Sequence, residues 1–302
     1  MATLTPLLQD LARTLGFDRQ QGFVATPLAG VRLFRANRPV ARAPLFYDAG
    51  LVIIGQGCKI GYLDDRRFRY DADNYLILSV PMPFECETLA SADEPLLGIF
   101  VDVDVEDLRG LVATVEDPGL PAMDLDHVRC GVEPAPLDAA MLDATARLLR
   151  CLLDPVDVRV LGPTIVRELT YRALRGPHGA ALRALTLEQG AQARVARALA
   201  FAHRRYREPI RVDDLARQAS MSPSAFHRAF KAVTGDSPLQ YVKKMRLHEA
   251  RRMLVHESVA VSSAAFEVGY ESPAQFSRDF KRHFGATPSE ARRTGYAFAA
   301  GS

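Results

Sequence analysis

SPSAFHRAFKAVTGDSP, residues 222–238, returns fifty residues later as SPAQFSRDFKRHFGATP, residues 272–288, with eight of the seventeen aligned positions identical. Each copy opens on Ser-Pro. Serine is a good helix N-cap, and proline is tolerated at the first helical position. Phe226 and Phe230 stand four apart, as do Phe276 and Phe280, so each predicted helix buries an aromatic pair on one face. Gly235 and Gly285 supply the left-handed residue that ends a helix.

A short apolar-periodic segment precedes each copy. VDDLARQASM (212–221) and VSSAAFEVGY (261–270) place apolar residues at matching offsets, with Ala216 and Ala265 where a second helix must cross closely. Ser220 and Gly269 fall where the turn begins. A short helix, a tight turn and a second helix with a polar, basic face make a helix-turn-helix. The spacing predicts two, about 211–235 and about 260–285. Between them PLQYVKKMRLHEARRMLVHES (238–258) reads as one long helix, with Leu239, Val242, Met245, Leu247, Ala250 and Leu254 inward. About 19 helical residues span roughly 28 Å. Such a connector can hold two recognition helices near one turn of B-DNA apart, about 34 Å.

The charge agrees. The whole chain of 302 residues carries +2, but residues 191–302 hold 19 Lys and Arg against 10 Asp and Glu, a balance of +9, which leaves −7 for residues 1–190. A basic domain suits a polyanionic partner. No apolar run approaches the roughly 20 residues of a membrane span, and the N-terminus lacks the pattern of a secretory signal, so a cytoplasmic protein is expected. Cys58, Cys86, Cys130 and Cys151 form no CxxC pair and read as buried small hydrophobes.

Residues 31–103 alternate short β-rich runs with turn residues. VRLFR (31–35), LVIIG (51–55), YLILSV (75–80) and LLGIFVDV (96–103) are examples, and the pattern fits an antiparallel barrel or sandwich. Three helical segments follow, at 104–115, 135–153 and 158–174. The last two offer a dimer interface or a cover for their own sheet. The division expected is a regulatory or dimerisation domain at 1–180, a linker at 181–190 and a helical domain at 191–302.

Residues 191–302 resemble the DNA-binding domain of the AraC/XylS family of bacterial transcription regulators, in the connector YVKKMRLHEARRML and in VGYESPAQFSRDFKRHFGATPSEAR. LFRANRP (33–39), QGCKIGYLDDRRFRYDADNYLILSV (56–80) and RELTYRALRGPHGAALRAL (167–185) resemble the AraC-type N-terminal domain, a cupin-like barrel. The resemblance implies an α+β chain of two domains: a cupin-like antiparallel barrel with flanking helices, then an all-α domain with two helix-turn-helices on a long connector. It implies double-stranded promoter DNA as partner, contact with RNA polymerase, and a homodimer. The barrel either binds a small effector or serves only for dimerisation or protein interaction.

Arg228 and Arg278 occupy the recognition-helix slot that faces DNA in the family. His227, Ser277, Ser224, Ala225, Ala274 and Gln275 are base-edge candidates, and Lys231, Lys281 and Arg246 are phosphate clamps. His203 reads as a solvated residue of the domain's first helix. Enzyme, metal and cofactor readings find no support. The chain carries no GxSxG or GxGxxG, and its first histidine, His127, lies beyond the strands that bear the ligands of metal cupins. The turn carboxylates Asp64, Asp65, Asp71 and Asp73 read as solvated.

Overall fold

The computed structural model describes residues 4–63, 65–115, 131–187, 190–257 and 259–294. Asp64, His127 and Cys130 lie outside them. Helix α1 (Thr5–Thr14) precedes nine strands: β1 (Gly22–Ala25), β2 (Val31–Ala36), β3 (Val40–Tyr47), β4 (Gly50–Gln56), β5 (Cys58–Leu63), β6 (Arg66–Asp71), β7 (Asn74–Leu78), β8 (Met82–Leu89) and β9 (Leu96–Asp102). Helix α2 (Val105–Thr114) and strand β10 (Val132–Pro136) follow. All recorded pairings are antiparallel. One sheet runs β1-β2-β9-β4-β7-β10 and the other β3-β8-β5-β6.

The two sheets enclose one core, with Phe34, Tyr47, Tyr70, Phe84 and Phe100 among its largest side chains. Within it a polar chain runs from the Lys59 amine to the Tyr47 hydroxyl (2.6 Å), on to Tyr70 (2.9 Å) and to the Cys86 sulfur (3.3 Å). Hydrogen bonding is what makes polar groups tolerable at such burial. Burial pushes both phenols and the Cys86 thiol up and the Lys59 amine down to about 8. Cys58, Cys86 and Cys151 are all buried with free thiols.

The outer face of the larger sheet packs against α1, α2, α3 (Ala139–Cys151) and α5 (Gly162–Arg175), with α4 (Pro155–Val160) between the last two. Asp104, Asp138 and Asp154 cap α2, α3 and α4 through their carboxylates. Two expectations need correction here. Ala135 and Pro136, read as the start of a helix, pair in β10 with Tyr75 and Asn74 of β7. The segment read as a linker, 181–190, is helical to Thr186: α6 (Gly179–Thr186) buries Ala181, Leu182, Ala184 and Leu185. An apolar helical stripe needs a partner surface, and α6 finds one against α2, α5 and the first helix of the basic half.

That half holds α7 (Ala191–Arg205), α8 (Val212–Gln218), α9 (Pro223–Thr234), α10 (Pro238–His256), α11 (Val261–Glu267), α12 (Pro273–Phe284) and α13 (Pro288–Thr294). The core is continuous from the outer sheet face through α3, α5 and α6 into α7, α8, α9 and the first half of α10. The second half of α10, α11, α12 and α13 enclose a core of their own. No described helix is long and apolar enough to cross a membrane.

Candidate nucleic-acid interface

The two copies of the repeat fold alike for local reasons. Ser222 Oγ accepts from the Ala225 amide and Ser272 Oγ from the Gln275 amide, each at 3.4 Å. Pro223 and Pro273 take the first helical position. The ring pairs Phe226–Phe230 and Phe276–Phe280 are buried, at centroid distances of 5.3 and 5.5 Å. Gly235 and Gly285 end the helices at φ 76° and 75°. The turn before α12 passes through Gly269 at φ 85°, where an added Cβ would stand 2.6 Å from the Arg207 carbonyl oxygen. The matching turn before α9 holds Ser220 at φ 51°, a conformation few non-glycine residues adopt.

Burying the phenylalanines fixes which side chains face out. On α9, Ser224, His227, Arg228 and Lys231 are exposed at i, i+3, i+4 and i+7, and Ala225 flanks them half-buried. On α12, Ala274, Arg278 and Lys281 are exposed in the same register, with Gln275 exposed beside them and Ser277 half-buried within the stripe. The structure thus gathers ten of the eleven expected site residues into two equivalent stripes.

Charge pairing separates these cations from their neighbours. Arg217 is paired with Asp214, Arg282 with Asp279, Lys243 with Asp279 and Lys244 with Asp236. Arg228, Lys231, Arg278 and Lys281 form no ion pair or side-chain hydrogen bond with a described residue. Four cations left to solvent on two matching stripes can meet phosphate oxygens or guanine edges without first breaking an internal pair.

Arg246 is the exception to the expected set. Its Nε donates to Tyr206 O (2.7 Å), Nη1 to Gly269 O (3.2 Å) and Nη2 to Glu208 O (2.6 Å). It is a brace between α10, the α7–α8 loop and the second turn rather than a free phosphate clamp. Leu239, placed inward by periodicity, is 54% exposed at the start of α10. His203 is not a solvated residue. The Tyr241 hydroxyl gives its hydrogen to Pro81 O (2.8 Å), so His203 Nε2, 3.0 Å away, donates to that hydroxyl. The Tyr241–Pro81 bond joins the helical half to the barrel.

The contact extends further. Phe46 of β3 packs on His203, Tyr241 and His248 at centroid distances of 5.5, 5.6 and 5.8 Å. The Gly131 amide donates to Val233 O at the end of α9, 3.0 Å. A crevice of about 340 Å³ opens where Arg42, Tyr62 and Phe84 of the barrel face Lys244, Arg282 and His283. A larger polar groove, about 580 Å³, lies at one barrel mouth beside Gly57, Cys58, Arg69 and Asp71.

Comparison with known proteins agrees with this arrangement. Residues 27–181, more than half of the chain, match the AraC-type transcriptional regulator N-terminus, and residues 215–294 match a helix-turn-helix domain. The lactose operon transcription activator of Staphylococcus xylosus is 34% identical over 95 residues, covering 32% of this chain and 34% of that one. The regulator ExsA of Pseudomonas aeruginosa is 27% identical over 128 residues, covering 42% and 46%. The chain thus spans a third to a half of the length of these curated relatives. ToxT from Vibrio cholerae, solved with an unsaturated fatty acid bound, superposes with a TM-score of 0.60 over 91% of this chain and 97% of its own, at 12% identity, a likeness of fold. The chain belongs to the AraC-type transcriptional regulators.

Proposed function

From that membership we infer that the chain binds promoter DNA through α9 and α12, set in successive major-groove segments on one face of the duplex. The observation that carries this reading is the pair of matching stripes whose cations form no ion pair with a described residue, while Arg217 and Arg282 beside them are paired. Arg228 and Arg278 read guanine or hold phosphate. His227, Ser224, Ala225, Ala274, Gln275 and Ser277 meet base edges, and Lys231 and Lys281 neutralise phosphates. Helix α10, 19 residues long, holds the two motifs apart by roughly 28 Å. Arg228→Ala and Arg278→Ala each cost about 1–3 kcal/mol of specific binding in a titration against the selected site. Unchanged affinity in both variants would remove α9 and α12 as readers.

The N-terminal half supplies dimerisation and control. Leu153, Val156, Val160 and Leu161 leave an apolar patch exposed around α4, and a second copy is the partner such a patch suits in this family. Control by a small effector is supported by the crevice shared between barrel and helical half, because a ligand there touches both. The fatty acid bound to ToxT gives a precedent within the same fold. Binding would shift the placement of the motifs, and with it promoter occupancy or contact with RNA polymerase. A thermal-shift screen of the full chain with small carboxylic acids tests this. Stabilisation that Lys244→Ala abolishes supports the crevice, and no stabilisation by any of them leaves the barrel as a dimerisation module.

A further inference from the structure

Where the second helix-turn-helix nears the barrel, a pair of histidines joins α10 to α12. His248 on α10 and His283 on α12 point their Nε2 atoms at each other across 3.1 Å. Two imidazole nitrogens at that distance share one hydrogen: one donates and the other must accept with a bare lone pair. A proton on both would set N–H against N–H. His248 is buried, and its Nδ1 has no hydrogen-bond partner among the described residues. The ring is walled by Phe46 of β3 and by Phe284 of α12, at centroid distances of 5.8 and 5.0 Å. These walls offer a second proton no acceptor.

We propose that the His248–His283 pair is an acid-released clamp that fixes α12 to α10 at neutral pH, beside the contact with β3, and lets it go on acidification. The surroundings act in one direction. On α10, Lys244 and Arg251 bear on both rings, and Lys243 bears on His283. From the barrel, Phe46 brings no charge, and Arg42 is already joined to Glu85 on the same wall of the crevice. Asp236 and Asp279, the nearby acids of the helical half, are taken by Lys244, and by Lys243 and Arg282. His203 of α7 is a separate case, because Asp48 and Glu249 partly offset its burial.

Burial first, and then this positive field, hold His248 well below the ordinary imidazole range and His283 down at about 4. Released into water, each ring returns to about 6.5. The released form therefore takes up protons as pH falls below about 6.5, while the closed form resists them until about 4. The clamp is complete above that window and weakens through it. From pH 7.5 to 5.5 the ratio of closed to released molecules falls by about tenfold per histidine, about a hundredfold for the pair.

The clamp bears on function through the DNA-binding reading above, because it sets where α12 sits relative to α9. Its test needs no DNA, so failure of one does not mimic failure of the other. Backbone amide exchange is followed in the full chain from pH 7.5 to 5.0 at constant ionic strength, corrected for intrinsic rates, over segments 245–251 and 279–284. Both segments are expected to lose protection below about pH 6 while the barrel segment 74–78 keeps its own. His283→Gln is expected to cut that response from about a hundredfold to about tenfold, the share left to His248. His283→Phe, which suits the aromatic walls, should show the same reduced response and covers the case in which the glutamine variant misfolds. Equal protection of the wild type at pH 7.5 and 5.5 would overturn the proposal. So would release of both variants at the wild-type pH, which would assign the response to a carboxylate such as Glu85 or Asp279.

Discussion

At Arg246 three guanidinium nitrogens are committed to backbone carbonyls, whereas at Arg228 the same group stands in solvent without an ion pair. Residue type and position on a basic helix looked alike in the sequence; only the fold tells the braced arginine from the exposed one. Arg246→Ala should destabilise the chain by about 2–3 kcal/mol in chemical denaturation, because carbonyls of two loops lose a charged donor. The salt dependence of DNA binding should stay as it was. Lys231→Ala should do the reverse, lowering the salt slope by about one with little loss of stability. Inside the barrel, Lys59 is pushed down to about 8 by burial, while an unfolded lysine titrates near 10.4. Between these values the unfolded chain holds more protons, so stability rises with pH from about 8. The Cys58, Cys86 and Cys151 thiols and the Tyr47 and Tyr70 phenols are pushed up, so above about 8.5 the unfolded thiols, and above about 10 the unfolded phenols, ionise first and stability falls again. Denaturation midpoints measured from pH 7 to 11 should pass through a maximum near 8.5. Lys59→Met should erase the rise of roughly 1 kcal/mol and keep the fall.

Elements whose signals are local were legible in the sequence. Helices α9 and α12 announce themselves by cap, proline, aromatic pair and terminal glycine within fourteen residues, and the strands by short apolar runs between turns. Elements that depend on a distant partner were not. Strand β10 exists because β7 offers Asn74–Leu78 an open edge, more than fifty residues away, and its own VEPAP carries two prolines that argue against a strand. Helix α1 and strand β1 went unread because one apolar stripe and four residues are weak signals on their own. Helix α4, six residues long, leaves Val156 and Val160 at 57% and 66% exposure. A short helix that exposes its valines is accounted for if a second copy covers them. Val156→Glu with Val160→Glu should weaken self-association at least tenfold by sedimentation equilibrium, with the thermal midpoint of the monomer little changed. Unaltered association would move the dimer interface elsewhere.

Across the whole molecule, one core runs from the sheet into the first helix-turn-helix, and a second core holds the other motif. The first motif is thus built into the N-terminal half. The second is carried at the end of α10 and touches the barrel through β3. This asymmetry was invisible in a sequence where the two motifs look alike. Phe46 and His248 lie about two hundred residues apart, and nothing in either neighbourhood names the other. The tandem repeat, the opposed charges of the two halves and the connector length did point to a reader of two successive grooves, and the stripes on α9 and α12 agree with them. Selection of binding sites from random duplex DNA with the full-length protein tests that claim most directly. The account predicts two unlike half-sites about one helical turn apart, since the stripes differ at His227 and Ser277 and at Ala225 and Gln275. A single enriched half-site, or salt-sensitive binding with no enriched sequence, would contradict it.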